Sequence, residues 1–200
     1  MSELTELYKE IAACQRCILA QGRTKAVPGE GPEDATLMFI GEAPGFHEDR
    51  QGRPFVGAAG KFLEELLASI DLKREDVYIC NVIKCRPPGN RDPSPVEIET
   101  CRLYLDGQIE LINPKMIVTL GRFSMARYFP KTSISRIHGQ PKRMGGRIYY
   151  PMFHPAAALH QAKYRAAIEE DMRKIPQLLA EAEQMVDEEP PPQAEQLSLF

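Results

Sequence analysis

The sequence lacks any long apolar run. No stretch approaches the roughly 18 consecutive apolar residues that a membrane-spanning helix needs, and the N-terminus lacks the basic-then-apolar pattern of a secretory signal. No internal repeat is evident, which argues against a repeat architecture. We therefore expect a soluble, cytoplasmic protein that does not contact membranes.

Basic residues are absent from residue 181 onward, although six of the 28 Asp and Glu residues lie there. The formal net charge of −3 therefore conceals a body in which 25 basic residues face 22 acidic ones. A mildly basic body permits nucleic-acid binding. Residues 183–195 are acidic and rich in proline, which predicts a disordered linker behind a single domain over residues 1–182.

Apolar runs and helical periodicity alternate along the domain. The apolar runs predict four strands, at residues 36–40, 77–83, 116–120 and 148–153. Helices are predicted near residues 4–12, 60–70 and 164–182, and a capping box at Ser94 and Glu97 opens another that runs to about Ile112. Strands separated by helices require crossover connections, so we expect an α/β fold with a mostly parallel sheet.

Two polar residues follow predicted strands directly. Glu42 comes after the first strand in Gly-Glu-Ala-Pro-Gly, and His154 comes after the fourth in His-Pro-Ala-Ala-Ala-Leu. Ligands of open α/β sheets bind in the crevice outside the carboxyl ends of the strands. A carboxylate and an imidazole in one crevice indicate a catalytic site.

Four of the five cysteines have a spacing that suits metal ligation. Cys14 and Cys17 form C-x2-C, and Cys85 and Cys101 follow far along the chain, whereas Cys80 lies in an apolar strand and is assigned to the core. Without a secretory signal, disulfides are disfavoured. Zinc is the default ion for four cysteines, but an iron–sulfur cluster accepts the same thiolates. The remaining alternative is that all five are small buried hydrophobes.

The segment Cys-Arg-Pro-Pro-Gly-Asn-Arg-Asp-Pro after the second strand cannot be regular structure, because its prolines remove amide donors. If a metal fixes this loop, then Lys84, Arg86 and Arg91 lie on a rigid surface where they could meet phosphates. The alternative is an ordinary solvated basic rim.

Long motifs occur in order together with the four cysteines: GEAPGFHEDRQGRPFVGAAGKFL, NVIKCRPPGNRDP, SRIHGQP and HPAAAL. Over residues 3–180 the chain resembles the family 4 uracil-DNA glycosylases, the iron–sulfur-containing branch of that superfamily. The resemblance implies a three-layer α/β/α fold around a four-stranded sheet. It also implies a [4Fe-4S] cluster on Cys14, Cys17, Cys85 and Cys101, which decides between iron and zinc by analogy.

The activity implied is excision of uracil from single- or double-stranded DNA, with hydrolysis of the N-glycosidic bond and an abasic site left for base excision repair. Glu42 would activate water and stabilise the sugar cation, and His154 would donate to a uracil oxygen as negative charge develops. A zinc-stabilised nucleotide-binding domain and a uracil-DNA relative that binds or cross-links without turnover are the alternatives.

Recognition of the base is expected from residues around the same crevice. Asn81 would pair with N3–H and O4 of uracil, a pattern that cytosine reverses. Phe55 would stack on the flipped base, although a core Phe is the alternative. The backbone at Gly41 would approach the base, and Glu48 resembles the family position near the C5 edge, where the methyl group of thymine must be refused.

Contacts with DNA are expected from Arg86, Arg91, His138 and Leu159. His138 lies in Ser-Arg-Ile-His-Gly, a loop in which a related branch uses a histidine to trap DNA covalently. This chain lacks the basic insertion of that branch, so we expect turnover. Leu159 could wedge into the duplex, with helix packing as the alternative.

The C-terminus carries a second motif. Gln196, Leu197, Leu199 and Phe200 resemble the short peptide with which bacterial repair proteins bind the sliding clamp. The acidic linker before it would set its reach. We expect a monomer associated with the nucleoid, with the clamp as a partner.

Overall fold

The computed structural model describes residues 2–189 and contains all four predicted strands. These are β1 (Leu37–Gly41), β2 (Tyr78–Asn81), β3 (Met116–Leu120) and β5 (Arg147–Met152). They pair in parallel in the order β2-β1-β3-β5. Their carboxyl ends therefore meet at one edge of the sheet.

The prediction of four strands is wrong in number, because the described sheet has six. β4 (Lys142–Met144) pairs antiparallel with β5, and β6 (Asp187–Glu188) pairs parallel with β4. The β4–β5 turn is Gly145-Gly146, and both glycines have positive φ, as a tight hairpin turn requires. β4 has no apolar run to signal it, since its sequence is Lys-Arg-Met.

Helices surround the sheet. Their bounds are α1 (Glu3–Ala13), α2 (Leu19–Gly22), α3 (Phe46–Gln51), α4 (Ala58–Ala68), α5 (Pro95–Ile112), α6 (Arg122–Ala126), α7 (Ile134–Ile137), α8 (Pro155–His160) and α9 (Ala162–Ala180). Short 3-10 turns cover Arg74–Asp76, Pro88–Asn90 and Ala182–Gln184. The capping box predicted at Ser94 is confirmed, since Glu97 N donates to Ser94 Oγ and Ser94 N donates to the Glu97 carboxylate.

Two separate cores lie on the two faces of the sheet, because successive strand residues point to opposite sides. Phe39 and Val118 pack with side chains of α4 and α9 on one face. Ile40, Cys80 and Ile117 pack with side chains of α1 and α5 on the other. The architecture is thus three-layered α/β/α, as predicted.

Residues 183–189 begin the segment predicted as a linker and form the end of a 3-10 turn and β6. The rest of that segment and the predicted clamp peptide at residues 196–200 lie outside the described residues. No helix within residues 2–189 has the length and apolarity to cross a membrane.

Candidate active site

The carboxyl ends of β1, β2 and β5 surround a pocket of about 440 Å³. Gly41 at the end of β1 is in register with Asn81 at the end of β2, and His154 follows β5. The pocket-lining side chains include Asn81, His154, Glu48, Phe55, Phe46 and Leu159. Residues assigned to uracil from the sequence are therefore gathered at one site.

Position 41 requires a glycine, because the neighbouring side chains leave no room for a Cβ atom. A Cβ at this position would collide with Asn81 Oδ1 and lie 2.7 Å from two ring atoms of Phe55. Phe55 has a positive φ of 49°, and its carbonyl accepts a 2.8 Å hydrogen bond from Arg74 Nη1. The Phe55 ring is consequently fixed against the end of β1, stacked on His154 with ring centroids 5.6 Å apart.

Asn81 carries an unpaired polar atom. Its side chain is only 2% exposed, and Oδ1 has no hydrogen-bond partner within the described part of the chain. A buried, unsatisfied acceptor costs about 1–3 kcal/mol. Because Asn81 lines the pocket, this oxygen is available to a donor on a bound ligand.

His154 has a fixed tautomer. The backbone N–H of Ala156 donates to His154 Nδ1 over 3.1 Å, so the proton of the neutral ring is on Nε2. Burial lowers the pKa of His154 to about 4, against a smaller opposing effect of Glu48. The ring is therefore a neutral hydrogen-bond donor at physiological pH.

Asp92 and Arg122, whose charges act on Glu42, help to line a second groove of about 490 Å³. Burial, and then the negative charge of Asp92, raise the pKa of Glu42 to about 7, while Arg122 opposes the shift. Glu42 is not among the residues that line the smaller pocket. A carboxyl group that titrates near neutrality is suited to general base catalysis.

The Glu48 side chain binds backbone amides of a neighbouring loop, a role that the sequence did not indicate. Its Oε1 accepts 2.9 Å hydrogen bonds from the amides of Val56 and Gly57. The carboxylate thereby fixes the loop between Phe55 and α4. Its proposed exclusion of the thymine methyl group stays a prediction.

The three basic residues of the proline-rich segment differ in accessibility. Lys84 is 1% exposed, and its Nζ donates to Asn81 O and Gln108 Oε1, so its assignment to a phosphate-binding surface is wrong. Arg91 forms a two-pronged ion pair with Glu97. Arg86 remains at the surface and donates to Asn90 Oδ1 over 2.6 Å.

The other two residues assigned to DNA contact have different surroundings. His138 Nδ1 donates to the buried Asp171 carboxylate over 2.8 Å, and its ring lies 4.4 Å from that of Phe153. Leu159 is 48% exposed and lines the pocket. Its exposure fits the wedge interpretation better than helix packing.

The four predicted ligand cysteines come from the loop between α1 and α2, the loop after β2, and α5. Burial raises the pKa of Cys85, with smaller contributions from Cys17 and Cys14. Burial also raises the pKa of Cys101 to about 11, with contributions from Cys85 and Cys17. Cys85 is therefore within electrostatic reach of Cys14 and Cys17, and Cys101 of Cys85 and Cys17. Within residues 2–189 no group of three His, Cys, Asp or Glu side chains is arranged to hold a metal ion.

Arg23 is a residue that the sequence analysis missed. Its guanidinium donates to Cys85 Sγ over 3.0 Å and to the carbonyls of Ala12 and Cys14 over 2.8 Å. Lys84 N similarly donates to Cys101 Sγ over 3.3 Å. Both donors suit negatively charged sulfur, and no local sequence pattern indicated either one.

A family model described as the uracil DNA glycosylase superfamily matches residues 28–175. The chain belongs to the uracil-DNA glycosylase superfamily. The matched range contains Glu42, Asn81 and His154, whereas Cys14 and Cys17 precede it. The matched range thus includes every strand end that lines the pocket.

Curated relatives within the superfamily are similar over most of their length. Type-4 uracil-DNA glycosylases of Sulfurisphaera tokodaii and Archaeoglobus fulgidus are each 48% identical, over 89% of this chain and 86% and 94% of their own chains. The type-4 enzyme of Thermotoga maritima is 45% identical over 86% of this chain and 93% of its own.

Proposed function

We propose that this protein is a type-4 uracil-DNA glycosylase, which hydrolyses the N-glycosidic bond of uracil in DNA and leaves an abasic site. The observation that carries the proposal is the unpaired, buried Asn81 Oδ1 in a pocket that also contains a neutral His154. The names of the type-4 relatives support the same activity.

Uracil must leave the base stack before the site can reach its glycosidic bond. In the pocket, Asn81 Oδ1 would accept from N3–H of the base and the Asn81 amide would donate to O4. Cytosine presents an acceptor and a donor at these positions, so it would leave buried groups unpaired. Such mismatches give strong discrimination.

Departure of the base places negative charge on uracil and positive charge on the sugar. His154 Nε2–H would donate to the uracil oxygen where that charge accumulates, and the imidazole ring would act in its neutral form. The Phe55 ring, held against Gly41, would provide the flat apolar surface for the base. These roles of His154 and Phe55 are proposals.

Glu42 would act on the sugar side of the bond. In its ionised form it stabilises the sugar cation and accepts a proton from the attacking water. Because its pKa is raised to about 7, only part of the population has the active form at neutral pH.

Cys14, Cys17, Cys85 and Cys101 would hold a [4Fe-4S] cluster. The cluster would tie three segments of the chain together, and we assign it no step in the reaction. The N–H donors from Arg23 and Lys84 to two of these sulfurs suit thiolate ligands. The similarity to type-4 relatives favours the cluster over zinc.

We propose uracil-containing DNA as the substrate and the sliding clamp as a partner of residues 196–200. The clamp proposal is supported by the terminal sequence Gln-Leu-Ser-Leu-Phe. We also propose a monomer that acts in the cytoplasm, at the nucleoid, where the proposed substrate DNA is found.

The decisive experiment incubates the pure protein with a uracil-containing oligonucleotide and then with alkali. Strand cleavage at uracil, with release of free uracil, is the expected result. Retention of the protein on the oligonucleotide under denaturing conditions would instead identify the cross-linking alternative. The visible absorbance of iron–thiolate charge transfer distinguishes a cluster from zinc in the same sample.

A further inference from the structure

Phe46 is a large apolar side chain in an unusual position. It is the first residue of α3, it is 46% exposed, and it lines the base pocket. An exposed aromatic ring at the rim of a functional pocket is typical of a surface that a ligand covers.

Two arginines flank the Phe46 ring. Arg50 Cζ lies 5.6 Å from the ring centroid and Arg86 Cζ lies 5.2 Å from it. Arg50 comes one helical turn after Phe46, whereas Arg86 comes from the segment after β2. Cations at this distance from an aromatic ring are attracted to it.

The charges of these two arginines are not neutralised locally. Within residues 2–189 neither guanidinium forms an ion pair with a carboxylate, in contrast to Arg91 on Glu97 and Arg74 on Glu30. Arg86 is oriented by Asn90 Oδ1, and Asn90 itself lines the pocket. The rim thus presents a half-exposed aromatic ring together with two uncompensated positive charges.

We propose that Phe46, Arg50 and Arg86 form a nucleotide-binding rim that receives the nucleotide next to the flipped uracil. The base of that nucleotide stacks on Phe46, and its phosphates bind Arg50 and Arg86. This inference rests on the proposed function. Because the DNA backbone is continuous, a uracil inside the pocket brings its neighbour to the pocket mouth, where Phe46 lies. Stacking tolerates any base, so the rim adds affinity without restricting sequence.

The test of stacking uses single-stranded oligonucleotides in which the neighbour on the 5′ or 3′ side of uracil either has a base or lacks one. With both bases present, Phe46→Ala should lower kcat/KM at least about five-fold, from the usual strength of base–aromatic stacking. Phe46→Trp should retain the wild-type value. The matched control is Leu111→Ala, which also truncates an exposed apolar side chain but lies near the C-terminal end of α5.

On the substrate that lacks the stacked base, Phe46→Ala and wild type should have the same kcat/KM. On the substrate that lacks the base on the opposite side of uracil, the difference between them should persist. If Phe46→Ala matches wild type on the intact oligonucleotide, or loses equally whichever neighbour lacks its base, the stacking proposal is overturned. Absence of uracil release by the wild-type protein on every substrate would instead refute the proposed function.

Salt dependence tests the arginines. Each phosphate contact to a single strand contributes about 0.7 to the slope of log affinity against log salt concentration. Arg50→Gln and Arg86→Gln should each lower that slope by about this amount, and Phe46→Ala should leave it unchanged. Arg173→Gln, on the exposed side of α9, is the control. Unchanged slopes for both rim variants would overturn the phosphate contacts.

Discussion

At the scale of single residues, the site combines two groups whose pKa values are shifted in opposite directions. Burial lowers the pKa of His154 to about 4 and raises that of Glu42 to about 7. Burial disfavours the charged form of each, so one becomes a neutral donor and the other a base that titrates near neutrality. The two shifts suit the separate tasks that we propose for these residues, His154 at the base and Glu42 at the sugar.

The pH dependence of excision should follow Glu42. Since the ionised form is active, the single-turnover rate should fall about tenfold for each pH unit below 7 and level off above it. No inflection from His154 is expected between pH 5 and 8. Single-turnover rates from pH 5 to 9 check this.

Two variants sharpen the pH test. Glu42→Gln should be slower by about 10²–10⁴-fold and lose the dependence on pH. Asp92→Asn removes a charge that raises the Glu42 pKa, so its profile should move to lower pH. A wild-type inflection near 6.5 that disappears in His154→Gln would contradict the assignment.

Asn81 should determine the choice between uracil and cytosine. In Asn81→Asp a carboxylate replaces the donor that pairs with uracil O4 and can accept from the amino group of cytosine. Uracil excision should fall, and the ratio of uracil to cytosine excision should fall by at least about tenfold. Single-turnover rates on matched oligonucleotides give the ratio. An unchanged ratio at unchanged cluster absorbance would show that Asn81 does not read the base.

At the scale of elements, Lys84 links β2 to α5. Its ammonium group bonds to Asn81 O and Gln108 Oε1, and Gln108 Nε2 continues to Tyr78 Oη. A buried ammonium group needs all its protons paired. The chain therefore places a buried, hydrogen-bonded cation next to Asn81, for which we propose the reading of the base.

Lys84→Met should destabilise the protein, because it leaves Asn81 O and Gln108 Oε1 buried without a donor. Each orphaned acceptor costs about 1–3 kcal/mol. Thermal unfolding of the cluster-loaded protein should show a lower midpoint, while Lys61→Met, a surface change on α4, should not. Equal midpoints for the two variants would mean that the network contributes nothing to stability.

Elements with a local signal were predictable from the sequence, and elements defined by tertiary contacts were not. The capping box at Ser94 and the apolar strands β1 and β3 carry their own pattern. β4 is short and polar and exists only through its hairpin with β5. Lys84 lies between an apolar residue and a cysteine, and only the position of Gln108 on α5 shows that it is buried.

The candidate site likewise has features that the sequence predicts and features that depend on tertiary contacts. Parallel strands gather their ends at one edge, so Asn81 and His154 could be placed together in advance. The tautomer of His154 depends on the amide of Ala156, and the task of Glu48 depends on the amides of Val56 and Gly57. Such pairings arise from loop conformation, for which the sequence has no periodic signal.

At the scale of the whole molecule, charge separates the body from the tail. The body is mildly basic and presents its pocket at one edge of the sheet, while the residues from 181 onward include six acids and no base. A tail of this charge is repelled by DNA. We propose that residues 196–200 at its end bind a protein partner.

Deletion of residues 196–200 should abolish binding to the sliding clamp and leave excision from short oligonucleotides unchanged. Two leucines and a phenylalanine would fill an apolar pocket on the clamp, and tethering would raise the local concentration of the enzyme on DNA. Leu197→Ala with Phe200→Ala should lose binding as the deletion does, whereas Ser198→Ala should retain it. Binding to immobilised clamp, measured beside excision rates, separates the two properties. Equal clamp affinity with and without the peptide would eliminate this role, and a parallel loss of excision would place the tail in the enzyme itself.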